Sequence, residues 1–162
     1  MVISNTTPLI NFAETGLPNI LEDLFSKVSI PETVALELQA KSSLFPLAAQ
    51  VPNLDFIEIT GPVDHGPSKE LGRSLHPGEA DCLALSMETA GSKLILDDVA
   101  ARQVANFHGL EYTGTLGCLL EAKQRGLLRE IQPVLDELRT KARFWLHPNL
   151  HREVMKLAGE LQ

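Results

Sequence analysis

The chain has 162 residues, 44% of them hydrophobic and 22% charged, and carries a formal net charge of −7. That length can bury a sizeable core without disulfide or metal staples, so a single globular unit over residues 1–162 is expected. The acidic balance excludes a protein that holds nucleic acid simply by neutralising phosphates over a broad surface. It does not exclude a nuclease whose acidic pocket recruits divalent metal, and a local patch of Arg139, Lys141, Arg143 and Arg152 is left to meet a backbone. No apolar run approaches the roughly 20 residues that span a bilayer, and no basic stretch leads into an apolar one at the N-terminus. The expectation is a cytoplasmic protein with no membrane partner. Cys82 and Cys118 lack paired-motif spacing and read as buried, reduced thiols.

In chain order, the apolar stretch Val2–Ser4 reads as a short buried strand, followed by the polar residues Asn5, Thr6 and Thr7 and a helical segment from Pro8. Val28–Ile30 repeats the strand character. It runs into "IPETVALELQAK", a helix with Pro31 at its first position and Glu37 near its end. "LDFIEI" (54–59) alternates as an edge strand does, and "GPVDHGPSKELGRSL" (61–75), rich in glycine and proline, reads as a loop with at most one helical turn. "HPGEADCLALSMETAG" is a helix with Pro77 and Gly78 at its start, Glu79 and Asp81 in its first turn and Gly91 as its stop. Leu94–Leu96 is a third buried strand, ending at Asp97 and Asp98, where the helix "DDVAARQVANFHG" begins. Leu110–Thr113 is a fainter strand, and "GTLGCLLEAKQRG" turns tightly into another helix. The tail after residue 126 reads as two helices, the second beginning at Pro148.

Strands that alternate with helices predict an α/β fold: a three-layer α/β/α sandwich around a mostly parallel sheet, an α/β core over 1–126 and a helical tail over 127–162. In open parallel sheets ligands bind beyond the carboxyl ends of the strands, where connections diverge. Asn5 lies just past the first strand, and Asp97 with Asp98 just past the third buried one. Glu79 and Asp81 reach that edge if the preceding loop crosses over, and Glu37 reaches it if its helix passes the site. Carboxylates brought together repel one another unless a cation compensates. Hard ions such as magnesium or manganese suit all-oxygen sites and bridge to phosphates, which points to phosphoryl transfer to water. Each acid also has a structural reading: Glu79 and Asp81 as first-turn residues, Asp97 or Asp98 as a helix cap, and Glu37 as a solvated helix residue. The functional reading rests on their joint placement.

"VISNTTPLI", "IPETVALEL", "GEADCLALS", "LILDDVAAR" and "GLEYTGTLGCLLEAKQRGL", in this order and spacing, resemble the PIN domain, specifically its short prokaryotic toxin-type group. The resemblance implies a magnesium- or manganese-dependent ribonuclease with an acidic quartet. Its first position falls on Asn5, its second on Glu37, its third on Asp81 with Glu79 as competitor, and its fourth on Asp98 or Asp97. Thr7 and Thr115 match hydroxyl positions that hold water or a phosphate oxygen. RNA as substrate, a small antitoxin protein as inhibitor and a homodimer are implied in the same way. Asn5 departs from the aspartate usual at the first position: its amide oxygen still ligates metal, but it brings no charge and cannot act as a base. A non-catalytic binding module is therefore the competing expectation.

Four other features bear on the function. His147 and His151 share a helix face but lack a third ligand, so they read as surface or packing residues. "GTLG" (114–117) lacks a full phosphate-binding glycine fingerprint and reads as a turn near the active edge. A receiver-like domain requires an acidic pair after the first strand, where this chain has asparagine and threonines. The tail segment "FWLHPNL" presents Phe144, Trp145 and Leu146 either to a dimer surface or to the chain's own core.

Overall fold

The computed structural model describes residues 1–161. Five short strands, β1 (Val2–Ser4), β2 (Val28–Ile30), β3 (Ile57–Ile59), β4 (Lys93–Ile95) and β5 (Glu111–Thr113), form one all-parallel sheet in the order β3-β2-β1-β4-β5. The β-branched and aliphatic residues Ile3, Val28, Ile30, Leu94 and Ile95 are fully buried. Each such side chain contributes roughly 1.5–3 kcal/mol by leaving water. Parallel strands buried on both faces read as continuous apolar runs, which is why they stand out in the sequence.

Helices α1 (Thr6–Glu14) and α2 (Asn19–Phe25) lie between β1 and β2, and α3 (Glu32–Ala40) with a 3-10 turn (Ala48–Asn53) lies between β2 and β3. Helices α4 (His65–Leu71) and α5 (Pro77–Glu88) precede β4, α6 (Val99–Phe107) joins β4 to β5, and α7 (Thr115–Gln124) follows β5. The tail contributes α8 (Gln132–Lys141) and α9 (Pro148–Leu157). Right-handed crossovers send connections that move toward β3 over one face and those that move toward β5 over the other. Accordingly α7 touches α1 and α2 on one side, and α5 touches α4 and α6 on the other, giving the three-layer α/β/α arrangement.

Four local differences from the sequence reading have physical causes. The helix after β1 begins at Thr6 rather than Pro8, because a proline in the first turn has no intrahelical N–H bond to lose. Pro31 caps α3 from outside and is not its first residue. Residues 65–71 form a full helix, capped where Asp64 accepts from the Gly66 N–H at 2.8 Å, within the segment read as loop. α2 and the 3-10 turn are too short to show an apolar period of their own.

The tail packs on the core: Ile131, Leu135, Leu138, Val154 and Met155 are buried in the same apolar cluster as the strands. Glu160 locks it, accepting from the backbone N–H groups of Ile131 (2.7 Å) and Gln132 (3.0 Å) at the start of α8 and pairing with Lys123 of α7. Burial alone would raise this carboxyl, but Lys123 and the two backbone donors outweigh it and hold it below the usual carboxylate range. A depressed acid stabilises the fold above its unfolded-state pKa, and that stabilisation is lost as pH falls through the folded value. Glu160→Ala is expected to cost on the order of 1 kcal/mol at pH 7, measured by urea denaturation, with the difference from wild type vanishing once the pH is well below about 4.

Candidate active site

The pairing of β1 with β4 builds the site. The two strands run in register, Ser4 opposite Ile95, and the Asn5 N–H continues the ladder to the Ile95 carbonyl at 3.3 Å. Connections leave β1 and β4 for opposite faces, so a crevice opens beyond their carboxyl ends. There a cleft of about 840 Å³ is lined by Asn5, Thr7, Glu37, Glu79, Asp97 and Asp98, with His76, Lys41 and Phe144 on its walls.

Helix N-termini converge on this cleft, with Asn5 as the cap residue of α1, His76 of α5 and Asp98 of α6. Their positive ends offset part of the repulsion among the acids. Glu37, from the last turn of α3, bridges two of them. One carboxylate oxygen accepts from the Thr6 hydroxyl and the other from the Gly78 N–H at 2.9 Å. A Cβ at residue 78 would stand 2.8 Å from that carboxylate, so glycine is what lets α5 approach.

Asp97 and Asp98 are adjacent but do different work. Asp97 accepts from the Thr115 N–H (2.9 Å), the Thr115 hydroxyl (2.5 Å) and the Asn11 amide (3.2 Å), and Arg102 lies 3.5 Å away. It fixes the start of α7 to the end of β4. Asp98 caps α6 through the Ala101 N–H at 2.8 Å, using one oxygen. Glu79 gives one oxygen to the His76 N–H at 3.1 Å. Burial raises the Glu79 carboxyl above its ordinary value against the lowering effect of that bond, and the neighbouring charges of Asp98 and Glu37 push it further up.

Asn5 stands apart. The residue is 2% exposed, and its Oδ1 is buried with no hydrogen-bond partner. An unpaired buried acceptor costs roughly 1–3 kcal/mol, which a ligand offering positive charge or a donor would recover.

The structure separates the acids that the sequence left together. Glu37, Glu79, Asp97 and Asp98 line the cleft, and Asp81 does not. Two helical residues along from Glu79 is a rotation of about 200°, so Asp81 faces away. It accepts from the Thr33 hydroxyl at 2.8 Å and borders smaller hollows beside His65. Thr7 is exposed on the cleft wall, whereas Thr115 is fully buried with its hydroxyl committed to Asp97. Thr115 thus orients a carboxylate and has no access to water or phosphate. Asn11 and Arg102, which hold Asp97, and Thr6, which holds Glu37, escaped the sequence reading. An asparagine among the apolar residues of α1 is the one signal in the sequence for such a role.

The "GTLG" turn is explained by the same contacts. A Cβ at residue 114 would stand 2.6 Å from Asp97, 2.1 Å from Arg102 and 3.0 Å from the Leu96 carbonyl, and the anion at this helix start is Asp97 itself. His147 accepts from the Asn149 N–H at 3.2 Å as the cap of α9, and His151 bonds Gln132 at 3.0 Å, both packing roles. Cys82 and Cys118 are free and buried. Burial pushes the Cys118 thiol up to about 12 and the Cys82 thiol well above its usual value, so neither supplies a thiolate.

Among the described residues no three His, Cys, Asp or Glu side chains close on a common point as a preformed ligand set does. The donor chemistry nevertheless fits a hard cation that keeps part of its water shell, through Asn5 Oδ1 and the carboxylates of Glu37, Glu79 and Asp98.

Two outcomes follow from this geometry. A raised acid stabilises the fold below its unfolded-state pKa, and that stabilisation is lost as pH rises through the folded value. Glu79→Gln is therefore expected to raise the thermal midpoint at pH 7.5 in a chelating buffer, by a few degrees if about 1 kcal/mol is recovered, and to lose that advantage below about pH 4. Gly114→Ala, by contrast, crowds Asp97, Arg102 and a backbone carbonyl, and should cost roughly 1–3 kcal/mol in chemical denaturation.

Searches of curated proteins and of solved structures return no match. A family model described as PIN domain matches residues 1–160. No helix among the described residues is long and apolar enough to cross a membrane. The chain belongs to the PIN domain family, whose members are nuclease-like modules that typically use divalent metal.

Proposed function

We propose that the chain is a metal-dependent endoribonuclease of the PIN type, the toxin of a toxin-antitoxin pair. The observation that carries the catalytic part is the unpartnered, buried Oδ1 of Asn5 in a cleft shared with Glu37, Glu79 and Asp98. Magnesium or manganese held by these oxygens would lower the pKa of water and neutralise charge that develops on the phosphate. The third acidic position is assigned to Glu79 in place of Asp81, because Glu79 lines the cleft.

The chain's own groups divide the remaining work. Glu37, fixed by Thr6 and Gly78, sets the geometry of the oxygen donors. Glu79 Oε1, free of the bond that Oε2 makes to the His76 N–H, is the oxygen that would face the cation, and the proton of the attacking water leaves to solvent. Lys41 on the cleft wall meets the phosphate, and Thr7 orients the water. The phosphorus–oxygen bond opposite the attack breaks, and the departing ribose oxygen is protonated by His76 or by solvent. A small inhibitor protein and a homodimer rest on the family likeness. Cytoplasmic placement rests on the sequence reading.

The competing reading, a non-catalytic module that binds RNA or protein, draws on Asn5, which supplies no charge where the family usually has aspartate. Cleavage of a fluorogenic RNA in manganese distinguishes the two. Wild type should cut, Glu37→Gln and Asp98→Ala should each fall at least about 100-fold, and Asn5→Asp should tighten metal dependence and speed cleavage. Activity that appears only in Asn5→Asp, with no metal-induced thermal stabilisation of wild type, would establish the non-catalytic reading.

A further inference from the structure

Phe144 lines the active-site cleft and also a second hollow of about 500 Å³, formed with Leu135, Arg139, Trp145 and His151. The two cavities therefore meet at one aromatic side chain. Next to it Trp145 is 74% exposed, with its ring set edge-on to His147 at 5.8 Å. Packing on the core accounts for Phe144 and Leu146, which are half-buried, but not for Trp145.

The surroundings are basic in an acidic chain. Residues 131–156 hold five Lys or Arg against three Asp or Glu, while the whole chain carries −7. Among the described residues Arg139, Arg143 and Arg152 have no carboxylate within 4.0 Å. Arg143 also sits at a backbone angle that favours glycine, with φ +57°, and the Phe144 N–H returns to the Leu138 carbonyl at 3.0 Å to close α8. At the ends of α1, α6, α7 and α9 the corresponding residue is glycine. An arginine kept in the left-handed region, where it costs conformational energy, points to a use for its side chain.

We infer that Phe144 and Trp145 form a base-stacking subsite that receives single-stranded RNA where it leaves the catalytic cleft, with Arg139 and Arg143 on its phosphates. The inference rests on the proposed nuclease reading. Bases stack on aromatic faces with little regard to sequence, and unpaired arginines beside them track the backbone. A protein partner is disfavoured because the hollow is partly polar: among the described residues its cation Arg139 has no carboxylate within 4.0 Å, its acid Asp136 accepts from Gln132 at 3.1 Å, and Arg143 stands next in sequence to Phe144.

Trp145 is the single tryptophan of the chain, so its emission reports directly on the subsite. Ten-nucleotide oligouridylate, titrated into the full chain in a chelating buffer, should quench that emission saturably. In anisotropy with the labelled oligonucleotide, Trp145→Ala should weaken binding roughly 5- to 10-fold and Trp145→Phe should restore most of it. Arg143→Gly should raise the thermal midpoint while weakening the same binding, opposite directions that a merely structural role does not give. The exposed position of Trp145 makes misfolding of its variants an inadequate explanation. RNA cleavage with unchanged emission and unchanged affinity in Trp145→Ala would overturn the subsite and leave the nuclease reading standing. Absence of both RNA binding and cleavage would remove both. Self-association abolished by Trp145→Ala, with RNA affinity unaltered, would reassign this face to a second copy of the chain.

Discussion

The parallel pairing of β1 with β4 at the centre of the sheet is the constraint from which the site follows. β1 is extended on one side by β2 and β3 and on the other by β4 and β5, so the direction of the crossovers reverses between β1 and β4. Where neighbouring connections leave in opposite directions, nothing fills the space beyond the strand ends. The residues that follow those strands, Asn5, Asp97 and Asp98, face this gap by register alone. Had β4 paired elsewhere, the same side chains would be ordinary helix caps.

A crowd of acids at such a crevice would oppose folding, and the chain limits the cost by giving most of them internal partners. Asp97 is absorbed by Thr115, Asn11 and Arg102, Asp98 gives one oxygen to a helix start, and Glu37 joins two helix N-termini. Each bond fixes an element and a donor together. Glu79 bears the residual cost, and its raised carboxyl records the burial and the neighbouring charge. In this arrangement Asn5 gains a physical explanation: a neutral oxygen at the most enclosed position adds a donor without adding to the repulsion.

Much of this was legible in the chain of residues. The three buried strands, the acids at their ends and the alternation with helices follow from apolar runs punctuated by proline, glycine and aspartate. The resemblance placed the second and fourth positions of the quartet at residues that line the cleft. What escaped needed three-dimensional phase or partners. Glu79 and Asp81 share a helical turn, and only the docking of α5 decides which of them turns inward. Thr115 has a suitable hydroxyl, but a buried carboxylate claims it first. Asn11 meets Asp97 across 86 positions, and Arg102, though close to Asp97 in sequence, reaches it only through the turn that opens α6. The helix at 65–71 hides among glycine and proline because its cap and its packing against α5, not its propensity, hold it.

We propose that Asn5, Glu37, Glu79 and Asp98 together form a cation site at the switch point of the sheet. Anomalous diffraction from a crystal of the full chain soaked in manganese tests it without reference to any substrate. The expected result is one strong peak within ligand or water-bridged distance of Asn5 Oδ1 and the three carboxylates, lost in Glu37→Gln. A peak beside Asp81 and Thr33, or an empty cleft at millimolar manganese, would rule this site out.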